Sequence, residues 1–223
     1  VDAERRTVRI PAGGVELTAD VVAPRPGRAV VAFAHGTGSG RHSPRNQYVA
    51  AELAGAGLGT VLADLLTPEE EQEEAPTGRL RFDIDLLGTR LIALVDWLTA
   101  DPAGAGLDAG LPIGLFGAST GAAAALVAAA ARPDAVTAVV SRGGRPDLAG
   151  SALPRVPQPT LLVVGGDDDE AVIELNRQAQ DRLAGPNRLE IVPGATHLFE
   201  EPGALEQVAT LARAWFATRL LLD

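Results

Sequence analysis

The 223-residue chain has no cysteine and no lysine; all 19 of its basic residues are arginine. Without cysteine there is no disulfide, no thiolate nucleophile, no Cys-ligated zinc and no iron–sulfur cluster. Without lysine there is no lysine Schiff base and no P-loop lysine. Histidine is scarce as well, so an imidazole base must be His35, His42 or His197. No apolar run approaches the roughly 18 residues of a membrane span. The opening residues, Val1-Asp2-Ala3-Glu4-Arg5-Arg6, lack the apolar stretch of a signal peptide. A cytoplasmic location without a membrane partner is the resulting expectation.

What is present describes a packed globular chain. Hydrophobic residues make up 46% and charged residues 22%, a balance that favours folding. Length and even composition predict one domain over residues 1–223. The formal net charge of -10 argues against nucleic acid, which is bound through basic patches. Much of the excess acid lies in Glu69-Glu70-Glu71-Gln72-Glu73-Glu74. Thr67, Pro68 and Glu70 form a helix start there, at N-cap, N1 and N3. The run therefore reads as a solvated surface helix, with an acidic rim that steers cations as the alternative.

Strand and helix patterns alternate along the chain. Residues 7–10 and 15–22, joined by Pro11-Ala12-Gly13-Gly14, predict a hairpin. Short continuous apolar runs at 29–34 and 59–63 predict strands buried on both faces. Further strands are expected at 112–116, 136–141, 160–164 and 188–192. Helices are expected at 44–56, 83–98, 120–131, 171–183 and 203–221. In the helix at 83–98 a leucine-rich face is interrupted once, by Arg90. Repeated strand–helix–strand units predict an α/β fold with a mostly parallel sheet and helices on both faces.

Gly117-Ala118-Ser119-Thr120-Gly121 fits G-x-S-x-G and falls between a buried strand and a helix. A nucleophile on such a turn adopts strained backbone angles, and the flanking glycines remove Cβ atoms that would clash. The turn also aims the hydroxyl at the positive end of the following helix. The plainer reading makes Ser119 an ordinary N-cap. A serine nucleophile needs a base, and the base needs an orienting carboxylate. His197 lies between the last strand and the last helix, and Asp167-Asp168-Asp169 follow the strand at 160–164 and its Gly165-Gly166 turn. The order Ser, Asp, His is that of the α/β-hydrolase triad. Loops at the carboxyl ends of parallel strands gather on one side, where the three groups can meet. The Gly-rich loop His35-Gly36-Thr37-Gly38-Ser39-Gly40 offers a backbone N–H to an oxyanion, with Thr37 and Thr120 as the expected donors. His35 reads as a structural residue that holds this turn.

These motifs, with Arg41-His42-Ser43-Pro44-Arg45-Asn46, Ser141-Arg142-Gly143-Gly144-Arg145-Pro146 and Gly194-Ala195-Thr196-His197, resemble the dienelactone hydrolase-like group of α/β-hydrolases over nearly the whole chain. The resemblance implies an eight-stranded sheet and hydrolysis of small esters or lactones with no metal or organic cofactor. Dienelactone hydrolases proper use a cysteine nucleophile; Ser119 stands in its place. Related hydrolases show Asp-x-x-Val after the strand at 160–164, which selects Asp169, whereas counting Gly-Gly-x-Asp selects Asp168. Asp169 is the expected triad acid. Arg142, at the carboxyl end of the strand at 136–141, is expected near the cleft, either gripping a substrate carboxylate or locking its own loop. Only a short segment separates this strand from the next where lidded relatives insert a cap, so no cap domain and a preference for short acyl groups are expected, with the acidic segment Thr67 to Thr77 folding over the cleft as a small lid as the alternative.

Three other readings compete. Gly36 and Gly38 resemble a dinucleotide-binding loop, but Arg41 stands where the third glycine belongs. Asp64 is also 28 residues beyond Gly36, farther than the roughly 20 expected of a ribose-binding acid. A non-catalytic ligand-binding member of the fold would have lost a triad residue. An acyltransferase or perhydrolase would share the acyl-enzyme and differ only in its acceptor. The sequence leaves the natural substrate and the oligomeric state open.

Overall fold

The computed structural model describes residues 3–36 and 38–221, the side chain of Glu74 excepted. An eight-stranded sheet runs β1 (Ala3–Ala12), β2 (Val15–Pro24), β3 (Val30–Ala34), β4 (Gly59–Ala63), β5 (Ile113–Ala118), β6 (Val136–Arg142), β7 (Thr160–Gly165) and β8 (Asn187–Val192). Its spatial order is β1-β2-β4-β3-β5-β6-β7-β8. β1, β2 and β4 pair antiparallel, and every pairing from β4 through β3 to β8 is parallel. The helices are α1 (Pro44–Gly55), α2 (Pro68–Glu74), α3 (Ile84–Ala100), α4 (Thr120–Ala131), α5 (Glu170–Arg182) and α6 (Ala204–Leu220). None of the described helices is long and apolar enough to cross a membrane.

The apolar runs fold as their patterning requires. Every residue of β3, β4 and β5 is buried, because helices cover both faces of a parallel sheet. On one face Leu87, Leu91 and Leu94 of α3 pack with the alanines of α4 and with Leu153. On the other, Val49 and Leu53 of α1 meet Val208 and Phe216 of α6. The alanine-rich α4, whose larger aliphatic side chains are Leu126 and Val127, packs against β3 and β5. Residues 143–159 between β6 and β7 hold only a 3₁₀ segment, Pro146–Arg155. The fold has no cap domain.

Successive crossovers bring the ends of β3, β5, β6, β7 and β8 to one rim, where the described candidate residues Ser119, Thr120, Arg142, Asp169 and His197 lie. The core beneath is tightly fitted: Phe216 is fully buried, and a Cβ added to Gly114 of β5 would stand 2.7 Å from its ring. Phe216→Ala should cost about 3–5 kcal/mol. Urea unfolding at unchanged m-value is the measurement, and a loss below about 1 kcal/mol would mean the cavity collapses.

Candidate active site

Ser119 sits between β5 and α4 with φ 52° and ψ −122°, a region costing a non-glycine residue about 1–3 kcal/mol. The surroundings enforce it. Its N–H donates to the Arg142 carbonyl at 3.2 Å, and its own carbonyl accepts from Ala122 and Arg145 N–H groups at 3.1 Å each. Gly117 and Gly121 leave no room for a Cβ, the first against Ala122 and the second against the Ala34 and His35 carbonyls. The hydroxyl makes no capping bond to α4, so the N-cap reading does not describe it.

His197 lies in the loop after β8, and its Nδ1 is 2.9 Å from Asp168 Oδ2. An ionised carboxylate only accepts, so Nδ1 carries the proton and a neutral imidazole leaves Nε2 as the acceptor. The Asp168 side chain is 4% exposed and the His197 side chain 37%: the carboxylate is buried while the imidazole is partly open to solvent. This corrects the expectation of Asp169. Asp169 is the N-cap of α5, its Oδ1 accepting from Ala171 N–H at 2.9 Å, and that bond turns its carboxylate into the helix. Asp168 Oδ1 takes the Asp169 N–H at 2.8 Å, leaving Oδ2 for the imidazole.

The turn after β6 stands between nucleophile and base. Gly143 has φ 51°, and a Cβ there would lie 3.0 Å from the His197 carbonyl and 3.7 Å from its Cε1. The imidazole thus rests on the turn whose preceding carbonyl holds Ser119. No hydrogen bond joins Ser119 Oγ to His197 among the described residues; such bonds commonly tighten only when substrate arrives.

Arg142 is placed differently from expectation. It is 6% exposed, its Nη2 donates to Asn46 Oδ1 at 3.1 Å, and its guanidinium carbon lies 6.0 Å from the Phe199 ring centroid. Its Nε is buried without a partner. Burial and the neighbouring Arg45 charge lower its pKa to about 10, so it stays cationic at neutral pH. The side chain props Phe199, which has φ 56°, beneath the His197 loop. It fits neither the substrate grip nor the loop salt bridge that the sequence suggested.

The Gly-rich loop is tied down at both ends. His35 Nε2 accepts from Leu65 N–H at 2.9 Å, which places the proton on Nδ1, 3.0 Å from the Gly36 carbonyl. Arg41 N–H donates to Asp64 Oδ1 at 2.7 Å, and the Arg41 guanidinium pairs with Asp64 and Asp20. Asp64, considered above only as a ribose ligand, is an anchor of this loop. Its place at the carboxyl end of a buried strand was the available signal. Thr37 lies outside the described residues; Thr120 opens α4 and lines the cleft. A Cβ on Gly36 would stand 2.9 Å from Ser119 Cβ, so the loop passes directly beside the serine. The adjoining cleft of about 360 Å³ is lined by Gly36, Gly38, Thr120, Leu66, Glu71 and Ala75; it reaches the serine through its neighbours Gly36 and Thr120, and Ser119, Asp168 and His197 are not themselves among its lining residues. A larger groove of about 820 Å³, between α1 and the β1–β2 hairpin, is lined neither by those three nor by Gly36 and Thr120.

A dienelactone hydrolase from Anabaena variabilis superposes on this chain with a TM-score of 0.93 and 54% identity, covering 98% of this chain and 99% of that one. The chain belongs to the dienelactone hydrolase-like family of α/β-hydrolases. Est1E from Butyrivibrio proteoclasticus shares the fold at 16% identity and a TM-score of 0.78, covering 95% of this chain and 98% of that one. A dienelactone hydrolase-like promiscuous phosphotriesterase from metagenomic libraries does so at 21% and 0.74, covering 97% and 98%. Two Mycobacterium tuberculosis proteins named "Putative phosphoribosyl transferase" are 56% identical over 213 residues, 96% of this chain but 46% of theirs. The chain therefore spans about half the length of those curated relatives. No family model matches it.

In this dienelactone hydrolase-like site the two aspartates separate by experiment. Asp168→Asn should lower kcat for p-nitrophenyl acetate by about 10⁴, as loss of an orienting carboxylate does elsewhere. Asp169→Ala should instead cost about 1 kcal/mol of stability through its lost cap, with kcat changed less than about threefold. The reverse ranking would restore Asp169. His35 gives a second expectation. Burial pushes its pKa below the ordinary imidazole value, so the unfolded chain binds the extra proton first. Its stabilising contribution is complete above the ordinary imidazole value of 6.5 and is lost as pH falls toward the depressed folded value. His35→Gln, whose amide oxygen can take the Leu65 N–H, should flatten that acid-side slope in urea unfolding between about pH 5 and 8.

Proposed function

We propose that the protein is a serine hydrolase of small carboxylic esters or lactones, working without a metal or organic cofactor. The observation that carries this reading is the His197–Asp168 pair beside a serine held at positive φ on a strand-to-helix turn. Ser119 Oγ attacks the substrate carbonyl while His197 Nε2 takes its proton and Asp168 stabilises the imidazolium. The oxygen that gains charge is received by backbone N–H groups at Thr120 and in the Gly-rich loop at Thr37. Collapse of the tetrahedral intermediate breaks the ester C–O bond, and His197 returns the proton to the leaving alcohol. Water then repeats the sequence on the acyl-enzyme and frees Ser119. Hydrolysis should fail in acid, where a protonated His197 has no lone pair to accept with.

A cleft of about 360 Å³ lies near the lower end of small-molecule sites, which supports compact substrates. A buried methylene contributes only about 0.8 kcal/mol, so a long acyl chain left outside the cleft gains little. The transferase name of the M. tuberculosis relatives belongs to proteins about twice as long. This chain aligns with only 46% of those proteins, and no transfer of phosphoribosyl groups is proposed for it.

A fluorophosphonate probe should label wild-type protein at Ser119, and Ser119→Ala should abolish both labelling and ester turnover with an unchanged melting temperature. The rate across p-nitrophenyl acetate, butyrate, octanoate and palmitate should peak at acetate or butyrate. Near-normal turnover in Ser119→Ala would end the hydrolase reading, and labelling without turnover of any ester would favour a non-catalytic binder. Acceptor competition separates hydrolysis from acyl transfer.

A further inference from the structure

Two features of the sequence take no part in the chemistry above: the acidic run from Glu69 to Glu74, and Arg90, which interrupts the apolar face of α3. The structure joins them. Arg90 is 7% exposed; its Nη2 donates to Glu70 Oε1 at 2.6 Å and its Nη1 to the Ala12 carbonyl at 3.1 Å. The other carboxylate oxygen, Glu70 Oε2, accepts the Thr67 N–H at 2.9 Å, while Thr67 Oγ1 accepts the Glu70 N–H at 3.2 Å. One carboxylate therefore closes the capping box of α2 and also fastens that helix to α3 and to the β1–β2 turn.

Such fastening matters because α2 has little else of the usual kind. It is seven residues long, well under the length at which a helix holds itself together in water. Glu69 and Glu73, four residues apart, repel along it. Its one apolar residue, Pro68, is exposed, so no hydrophobic face docks it. Yet α2 borders the cleft: Glu71 and the following Ala75 line it together with Gly36 and Thr120.

We infer that the Glu70–Arg90 pair is a specificity determinant: it pins α2 as a fixed wall of the cleft and so limits the protein to compact esters. This rests on the hydrolase reading proposed above. Removing the pair releases the wall and lets longer chains reach Ser119, from the acyl or the alcohol side, with the catalytic groups intact.

The test is the double variant Glu70→Gln/Arg90→Met, which removes both charges and leaves neither buried alone, with Glu70→Gln as a second and milder variant. Three readouts are taken on the full chain: turnover of p-nitrophenyl acetate and octanoate, turnover of ethyl and octyl acetate, and cleavage within residues 69–74 by a glutamate-specific protease. Acetate turnover should stay within about threefold of wild type. The octanoate-to-acetate or the octyl-to-ethyl ratio should rise about tenfold or more, the scale on which pocket size discriminates, and protease cleavage should accelerate in parallel. Faster cleavage with both ratios unchanged would overturn the role of α2 as a wall, and unchanged cleavage would overturn the pinning. If the wild type cleaves no ester, the hydrolase reading and the size limit fall together, while the cleavage arm still decides whether the pair holds α2.

Discussion

The rim of the sheet is organised around the left-handed turn at Ser119. A non-glycine residue at φ 52° and ψ −122° persists only where its neighbours over-determine it. Here the determination comes from β6. The Arg142 carbonyl and the Arg145 N–H grip the two peptide faces of Ser119, and Asn176 of α5 holds the Gly144 carbonyl at 3.0 Å. The same turn carries His197 over Gly143. Ser119 and His197 are therefore positioned against one short segment, so a shift in that segment moves both. That economy explains why residues 142–145 are dense in hydrogen bonds although none of them need touch a substrate.

Arginine carries every structural cation here, and the geometry makes use of its fork. Arg90 spans a carboxylate and a backbone carbonyl on different elements. Arg41 reaches Asp64 and Asp20 together. Arg142 is the exception, a buried guanidinium that has Asn46 and an aromatic face but no carboxylate. Burial of an unpaired charge is costly, and its depressed pKa, about 10, expresses that cost. What it returns is position: it props the Phe199 ring under the loop that bears His197.

Strands and helices were legible because buried parallel strands leave continuous apolar runs. The strand at 59–63 and the helix at 120–131 occur at the expected bounds, and the others differ by a few residues, most in β1 and β2, whose polar outer faces hide their length. Ser119 and His197 were legible because turn chemistry and chain order are local. The misreadings share one cause, which is that a residue has a single side chain to commit. Spacing offered Asp168 and Asp169 equally, and resemblance favoured the second. Only the fold reveals that Asp169 is spent on the first turn of α5, leaving Asp168 for the base. Arg142 was placed at the correct strand end, but alternation along β6 sends its side chain toward α1, away from the cleft. Glu70 was recognised as a capping residue, and its second oxygen could not be assigned without knowing that Arg90 faces it.

That second oxygen also decides what kind of boundary the cleft has. A cap held by hydrophobic contact moves as a body, because apolar surfaces slide with little directional penalty, and it exposes an apolar underside when it opens. The short α2 has no such underside. Its hold includes directional bonds from Thr67 and Arg90 to one carboxylate, which favour a single placement. A wall built this way presents no apolar underside to a lipid surface, so activation at an interface has no structural basis in this element. Glu71 and Ala75 line the cleft together with Gly36 and Thr120, and on the inference drawn above the cleft keeps its small volume by polar geometry instead of by closure.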